Sequence, residues 1–237
     1  MAVRGAKIRA VLFDVGGTLV DERDFSGWAD LARRLFLDLD IDNLAHAYTE
    51  TEGKYDAHPP SGSQESRLAR FWHDVLSRAA ERELEPEVGL KFLRLRSPDE
   101  RPIRLYSDVR RCLDTLAHER RHLGIVSNSS SEASLRRLLD RVGVLSYFER
   151  IVSSGTEGVA KPDAAIFRRA TERLQVEPTE TLYVGNLPWT DTRAALAAGL
   201  HSVWLNRDGT GMGSDPPEIT SLLEVPLCVR QIERGEM

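Results

Sequence analysis

The sequence predicts an α/β protein in which a parallel sheet is flanked by helices and a small all-helical segment is inserted after the first strand. Three patterns carry that prediction. Short apolar runs rich in β-branched residues recur as "RAVLFDV", "HLGIVSN", "RIVSS", "TLYVGN" and "HSVWLN", as expected of strands buried on both faces. From residue 105 onward helical periodicity separates these runs, as parallel crossovers require. Residues 24 to 97 break the alternation, with helical periodicity and no convincing strand.

Taken in order, the first strand runs into "DVGGT", which places Asp14 at the start of a glycine turn. In the insert, Trp28, Leu31, Leu35 and Leu39 predict one apolar helical stripe, and Leu68, Phe71, Trp72, Val75, Leu76 and Ala79 predict another. Between them "DAHPPSGSQ" reads as a loop, and "RSPDERP" as the exit back to the sheet. Beyond it, "SDVRRCLDTLAHERRH" aligns Val109, Leu113 and Leu116 on one helix face. "SEASLRRLLDRVGV" does the same with Leu135, Leu138 and Leu139 and stops at Gly143. "KPDAAIFRRATERL" opens with Pro162, which suits a first helical turn because its missing N–H is not needed there. "RDGTGMGSDPP" reads as a surface loop, followed by a short amphipathic stretch around "ITSLLEV". The expected organisation is a Rossmann-like α/β core from 1–23 and 98–237, with a helical cap over 24–97.

Composition narrows the function. The chain has 237 residues, 41% hydrophobic and 29% charged, enough for one sizeable core and a small second module. A net charge of −5 from 32 basic and 37 acidic side chains provides no basic footprint for nucleic acid or an anionic membrane surface. Cys112 and Cys228 form no CxxC pair, so neither a disulfide framework nor a zinc site is indicated, and the expected location is the cytoplasm. No run approaches the roughly 20 apolar residues of a membrane span. The expected state is a monomer or homodimer. Lysine is rare: Lys7, Lys54, Lys91 and Lys161 stand alone among many arginines, which draws attention to Lys161.

Ligands of open α/β sheets bind beyond the carboxyl ends of the strands, where helix N-termini and loop amides point. Four junctions here bring polar groups to that rim: Asp14 after the first strand, Ser127 and Asn128 after the second, Lys161 in "GVAKPD", and Asn186 with Asp191 in "GNLPWTD". Each has a structural explanation of its own. Ser129 to Glu132 reads as a capping box, Asp191 suits a helix first turn, and Lys161 is compatible with a solvated loop. Their joint placement on one solvent-facing rim favours a site.

"DVGGT", "VSNSS", "AKPDAAIF" and "VGNLPWTD" together resemble the four ordered motifs of haloacid dehalogenase-like hydrolases, over nearly the whole chain and with a helical cap after the first motif. The resemblance implies that Asp14 is a nucleophile attacking phosphorus or carbon, with catalytic roles for Thr18, Ser127, Asn128 and Lys161. It further implies a magnesium ion held by Asp14, the Gly16 carbonyl, Asn186 and Asp191, and phosphoryl oxygens bound by Ser127 and amides at a helix start. A small phosphate ester is the expected substrate, contacted at Gly17 and from the cap by Arg67 and Arg70, with His58 a further candidate. "DVGGT" also resembles the first phosphate motif of actin-fold sugar kinases, but no second glycine-rich phosphate motif accompanies it.

Two positions depart from the phosphatase pattern. Gly16 stands where these phosphatases carry a second aspartate as general acid and base, and Asn186 where they carry a metal-binding aspartate. Both changes point toward the metal-independent 2-haloacid dehalogenase branch, although that branch usually has a tyrosine where this chain has Phe167. A phosphonate-cleaving branch, for which Lys54 is a faint match, and a role in binding without turnover are the remaining alternatives.

Overall fold

Ala10, Val11, Leu12 and Phe13 have no exposed surface, and this run forms β1 (Ala10–Phe13) at the middle of the sheet. In the computed structural model, residues 7–21, 23, 25–57, 61–95, 103–209 and 216–237 are described. A turn after β1 leads to β2 (Val20–Asp21). Then come the insert helices α1 (Phe25–Arg33), α2 (Ile41–Ala57), α3 (Gln64–Ala79) and α4 (Val88–Leu95). The chain returns through β3 (Arg104–Leu105), antiparallel to β2 with Val20 opposite Leu105. It continues through α5 (Val109–His118), β4 (His122–Ser127), α6 (Glu132–Arg141), β5 (Arg150–Ser153), α7 (Ser154–Glu157) and α8 (Ala164–Leu174). The last elements are β6 (Thr181–Gly185), α9 (Arg193–Ala197), β7 (His201–Leu205), β8 (Glu218–Ile219) and α10 (Val225–Arg234).

The main sheet runs β5-β4-β1-β6-β7-β8, and every pairing in it is parallel. Counting its strands in chain order gives 3-2-1-4-5-6, the Rossmann arrangement, whose switch point lies between β1 and β6. Phe13 pairs with both Ile125 of β4 and Val184 of β6, so the chain ends of all three strands reach the same edge.

The chain divides into two compact units: the residues up to Asp21 together with those from Arg104 onward, and Glu22–Ile103. The second unit is helical and has an aromatic core of its own. Trp28 meets Trp72 edge-on at 4.8 Å, and Trp72 meets Phe92 at 4.7 Å.

Several local expectations change. The first insert stripe outruns its helix: α1 stops at Arg33, and Phe36 adopts a left-handed turn with φ 61°. Leu39 is still buried, from outside the helix. Pro162 is not in the first turn of α8 but precedes its N-cap Asp163, joined to Lys161 by a cis peptide bond. The cap of α6 is Ser131, whose side chain accepts from the Ser134 N–H, rather than Ser129. "DAHPPSGSQ" begins inside α2. His58, the "RSPDERP" exit beyond Leu95 and the middle of "RDGTGMGSDPP" lie outside the described residues. Among the described residues, no helix is long and apolar enough to cross a membrane.

Candidate active site

β1 ends at Phe13, and Asp14 stays tied to the sheet by donating its N–H to the Val184 carbonyl at 3.0 Å. The chain then turns tightly: the Val15 carbonyl accepts from Leu19 and Val20, and Gly17 donates to Val20 at 2.9 Å. Gly17 has φ 74°, and a Cβ there would run into the Asn186 side chain, so only glycine fits this approach of turn to β6.

Lys161 is the centre of the cluster. Its ammonium donates to Asp14 Oδ1 at 2.6 Å, Asp191 Oδ1 at 2.5 Å and the Tyr183 hydroxyl at 3.0 Å, which uses all three of its donors. The lysine is positioned from its backbone: Asn128 accepts from its N–H at 2.9 Å and donates to its carbonyl at 3.0 Å. Asp191 arrives on a single π-helical turn, Pro188–Thr192, a distortion often found at functional sites. Its second oxygen accepts the Leu187 N–H at 3.1 Å, and Gly185 has no Cβ to block its side chain.

The group is buried, with Asp14 7% exposed, Lys161 3% and Asp191 not at all, so Asp14 lies beneath the rim rather than on it. Burial pushes the Asp14 carboxyl up to about 6 against the pull of Lys161, with Asp191 adding to the rise. Burial alone would lower Lys161, but Asp14 and Asp191 outweigh it and hold the ammonium above its ordinary value. Burial and the two carboxylates likewise push the Tyr183 hydroxyl well up. It stays protonated, as a donor to Asp191 at 3.1 Å.

With this geometry in view, the sequence model of the haloacid dehalogenase-like hydrolases matches residues 8–199. The chain belongs to that family. It is 26% identical over 228 residues to the glyceraldehyde 3-phosphate phosphatase of Methanothermobacter thermautotrophicus, covering 91% of this chain and 93% of that one. It is 29% identical over 125 residues to (S)-2-haloacid dehalogenase 2 of a Pseudomonas species, covering 52% and 54%. The crystal structure of an HAD phosphatase from Thermococcus onnurineus superposes with a TM-score of 0.61 at 26% identity, covering 94% of this chain and 98% of that one.

Within this haloacid dehalogenase-like frame several expected residues take different tasks. Asn128 engages the Lys161 backbone with both ends of its amide. Thr18 is fully buried and donates its hydroxyl to Asn186 Oδ1 at 3.3 Å. The Gly17 N–H is used inside the turn, so it offers no amide to a ligand. At the start of α6, the Glu132 and Ser134 amides are taken by the Thr156 and Ser131 hydroxyls, which leaves fewer amides for phosphoryl oxygens than expected. Ser127 ends β4 and is 7% exposed. In the helical unit, Arg67 and Arg70 both lie on α3. Arg70 lines a groove of ≈ 530 Å³ with Glu65, His73 and Glu87.

Tyr183 stands outside the site residues expected from the motifs. Its signal was present: a tyrosine inside a fully buried strand needs a partner for its hydroxyl. Phe167 stacks edge-on against it at 4.9 Å, so the hydroxyl beside the lysine comes from β6 and not from α8.

Besides Asp191, the groups that the family resemblance assigns to a metal are all oxygens: the Asp14 carboxylate, the Gly16 carbonyl and the Asn186 amide oxygen, which accepts from the Thr18 hydroxyl. That chemistry suits a hard cation such as magnesium. Asp191 is the most committed of the expected ligands: Lys161 and Tyr183 donate to its Oδ1, and Leu187 donates to its Oδ2. Among the described residues, no group of three or more His, Cys, Asp or Glu side chains is arranged to hold a metal.

Proposed function

We propose that this hydrolase is a magnesium-dependent phosphatase of a small phosphorylated metabolite, working through an aspartyl-phosphate on Asp14. The observation that carries the reading is the shared ammonium. Asp14, just beyond the central strand, and Asp191 are held on one lysine at 2.6 and 2.5 Å. A carboxylate so aimed attacks phosphorus in line, and the P–O bond to the leaving group breaks with its electron pair. Water then attacks the aspartyl-phosphate at phosphorus, releasing inorganic phosphate and restoring Asp14. Lys161 balances the phosphoryl charge. An incoming oxygen exchanges most readily with its longest contact, the Tyr183 hydroxyl. Asp14, the Gly16 carbonyl, Asn186 and Asp191 would hold magnesium, which supplies charge neutralisation at the phosphoryl oxygens. Arg67 and Arg70 are the proposed substrate contacts of the insert.

Gly16 carries no acid to protonate the leaving oxygen, a loss that typically costs about 10²- to 10⁴-fold. Acetyl phosphate and p-nitrophenyl phosphate should therefore react far faster than glycerol 3-phosphate. The test is turnover of these three substrates by wild type and Asp14→Asn, with magnesium or with a chelator. Activity that survives the Asn substitution rules the reading out.

Gly16 and Asn186 also favour a second reading, a metal-independent dehalogenase-like hydrolase. Halide leaves a carbon centre without needing a proton, so neither missing aspartate is required. Chloride release from 2-chloropropionate in the presence of chelator distinguishes it from the phosphatase. Phosphate binding without turnover of either substrate class identifies a binding protein.

A further inference from the structure

The segment "RDGTGMGSDPP" reads as a surface loop, yet its first side chain is directed into the core unit. Arg207 follows β7 and is 15% exposed. Its Nη2 donates to the Thr18 carbonyl at 2.7 Å, and its Nε donates to the Gly17 carbonyl at 3.3 Å. Nη1 and Nη2 also form a two-point pair with Asp108 at 3.0 and 3.1 Å. The guanidinium carbon lies 3.8 Å from the centre of the Tyr106 ring. Asp108 is held in turn by the Ser221 hydroxyl and the Leu222 N–H, each at 2.9 Å.

These contacts converge on the turn that carries Asp14. Within that turn the Gly17, Thr18, Leu19 and Val20 N–H groups are satisfied by Val15 and Val20 carbonyls, while the consecutive Gly17 and Thr18 carbonyls point out to Arg207. A planar guanidinium reaches two adjacent carbonyls and both oxygens of a carboxylate at once, four contacts in a fixed fork, whereas a lysine ammonium has three donors and no such fork.

We infer that Arg207 is a positioning residue: by pinning these two carbonyls against Asp108 it sets the direction of the Asp14 carboxylate and the Gly16 carbonyl. The inference rests on the reading of Asp14 as nucleophile. A misplacement of about 1 Å costs about 10²-fold in a well-aligned reaction, so the effect should appear in kcat.

The test uses the full chain carrying Arg207→Lys and Arg207→Ala, with acetyl phosphate as substrate and amide hydrogen exchange as an independent measure. In Arg207→Lys, kcat should fall about 10²-fold with KM changed only a few-fold. Exchange should accelerate in residues 14–20 and not in β4 or β5. Millimolar guanidinium should restore part of the kcat of Arg207→Ala, whereas a merely destabilised protein would show no gain, since denaturation by guanidinium needs molar concentrations. Wild-type kcat with unchanged exchange in 14–20 overturns the inference, as does acceleration spread evenly over the sheet. If wild type turns over neither acetyl phosphate nor p-nitrophenyl phosphate, it is the nucleophile reading that falls. Exchange in 14–20 then decides by itself whether Arg207 pins the turn.

Discussion

Two buried clusters in the core unit use the same ingredients and reach opposite electrostatic states. Around Lys161, two carboxylates share one ammonium, and burial leaves the Asp14 carboxyl raised to about 6. Around Arg207, one carboxylate receives a two-point guanidinium together with a hydroxyl and an amide. For Asp108 burial pushes upward, but these donors outweigh it and hold the carboxyl below its ordinary value. The difference lies in the count of donors per acid. Asp108 is over-supplied and locked, while Asp14 is under-compensated, and a cation or an electrophile has most to gain beside it.

Turnover separates the clusters most sharply. Asp14→Asn should abolish phosphate-ester hydrolysis, by roughly 10⁴-fold or more, as removal of a covalent nucleophile does. Asp108→Asn should cost less than about tenfold, because its effect reaches the site only through Arg207. Steady-state assays on acetyl phosphate check both.

Removing the cations comes next. Lys161→Met leaves two buried carboxylates without a counter-ion and should destabilise the fold by about 3–5 kcal/mol at pH 7 in urea titrations. Arg207→Met should cost less, since Ser221 and Leu222 still serve Asp108. Equal losses would erase the distinction between the clusters.

Stability should also vary with pH in opposite directions. Asp14 has a raised folded-state value, so the folded protein holds the proton more tightly. Its contribution weakens as pH climbs from 3.8 through about 6, by up to about 3 kcal/mol. Asp108 has a lowered value, so its contribution is present above 3.8 and lost as pH falls through the folded-state value. In chelator, the stability of Asp14→Asn relative to wild type should therefore rise between pH 4 and 7. For Asp108→Asn the deficit should shrink only in strong acid.

The last expected effect is a gain. Gly16→Asp adds an acid to the cluster that already has excess anion, and should raise turnover of glycerol 3-phosphate about 10²-fold while leaving acetyl phosphate nearly unchanged. A uniform gain on both substrates would show that leaving-group protonation is not what position 16 lacks.

Much of this architecture is legible in the chain. β1, β4, β5, β6 and β7 each announce themselves by apolar β-branched runs, because strands covered on both faces admit little else. β2, β3 and β8 have two residues each, too few to carry a period. In α10, Val225, Cys228, Val229 and Ile232 recur at helical spacing, a pattern that extends beyond the amphipathic "ITSLLEV" stretch. The overrun of α1 has a different cause: Leu35 and Leu39 continue the apolar count, yet the chain turns at Phe36 and buries Leu39 from a loop.

At the site, Asp14, Lys161 and Asp191 could be listed together from the residues at successive strand ends. Their short contacts, and the different tasks of Thr18, Asn128 and Ser131, were not accessible in that way. Hydrogen-bond assignment for such polar side chains depends on which backbone groups lie within about 3 Å, and sequence spacing does not say.

The order of apolar runs, turns and helical periods therefore determined by itself which strand ends face one edge and which residues stand there, since parallel topology leaves few alternatives. Only the folded chain decided how many donors each buried acid receives. Asp14 and Lys161 are brought together from 147 positions apart in the chain, and Arg207 reaches the Thr18 carbonyl from 189 positions away. Burial and Coulomb interaction act through distance in space, and that is why one aspartate is poised and the other is held fast.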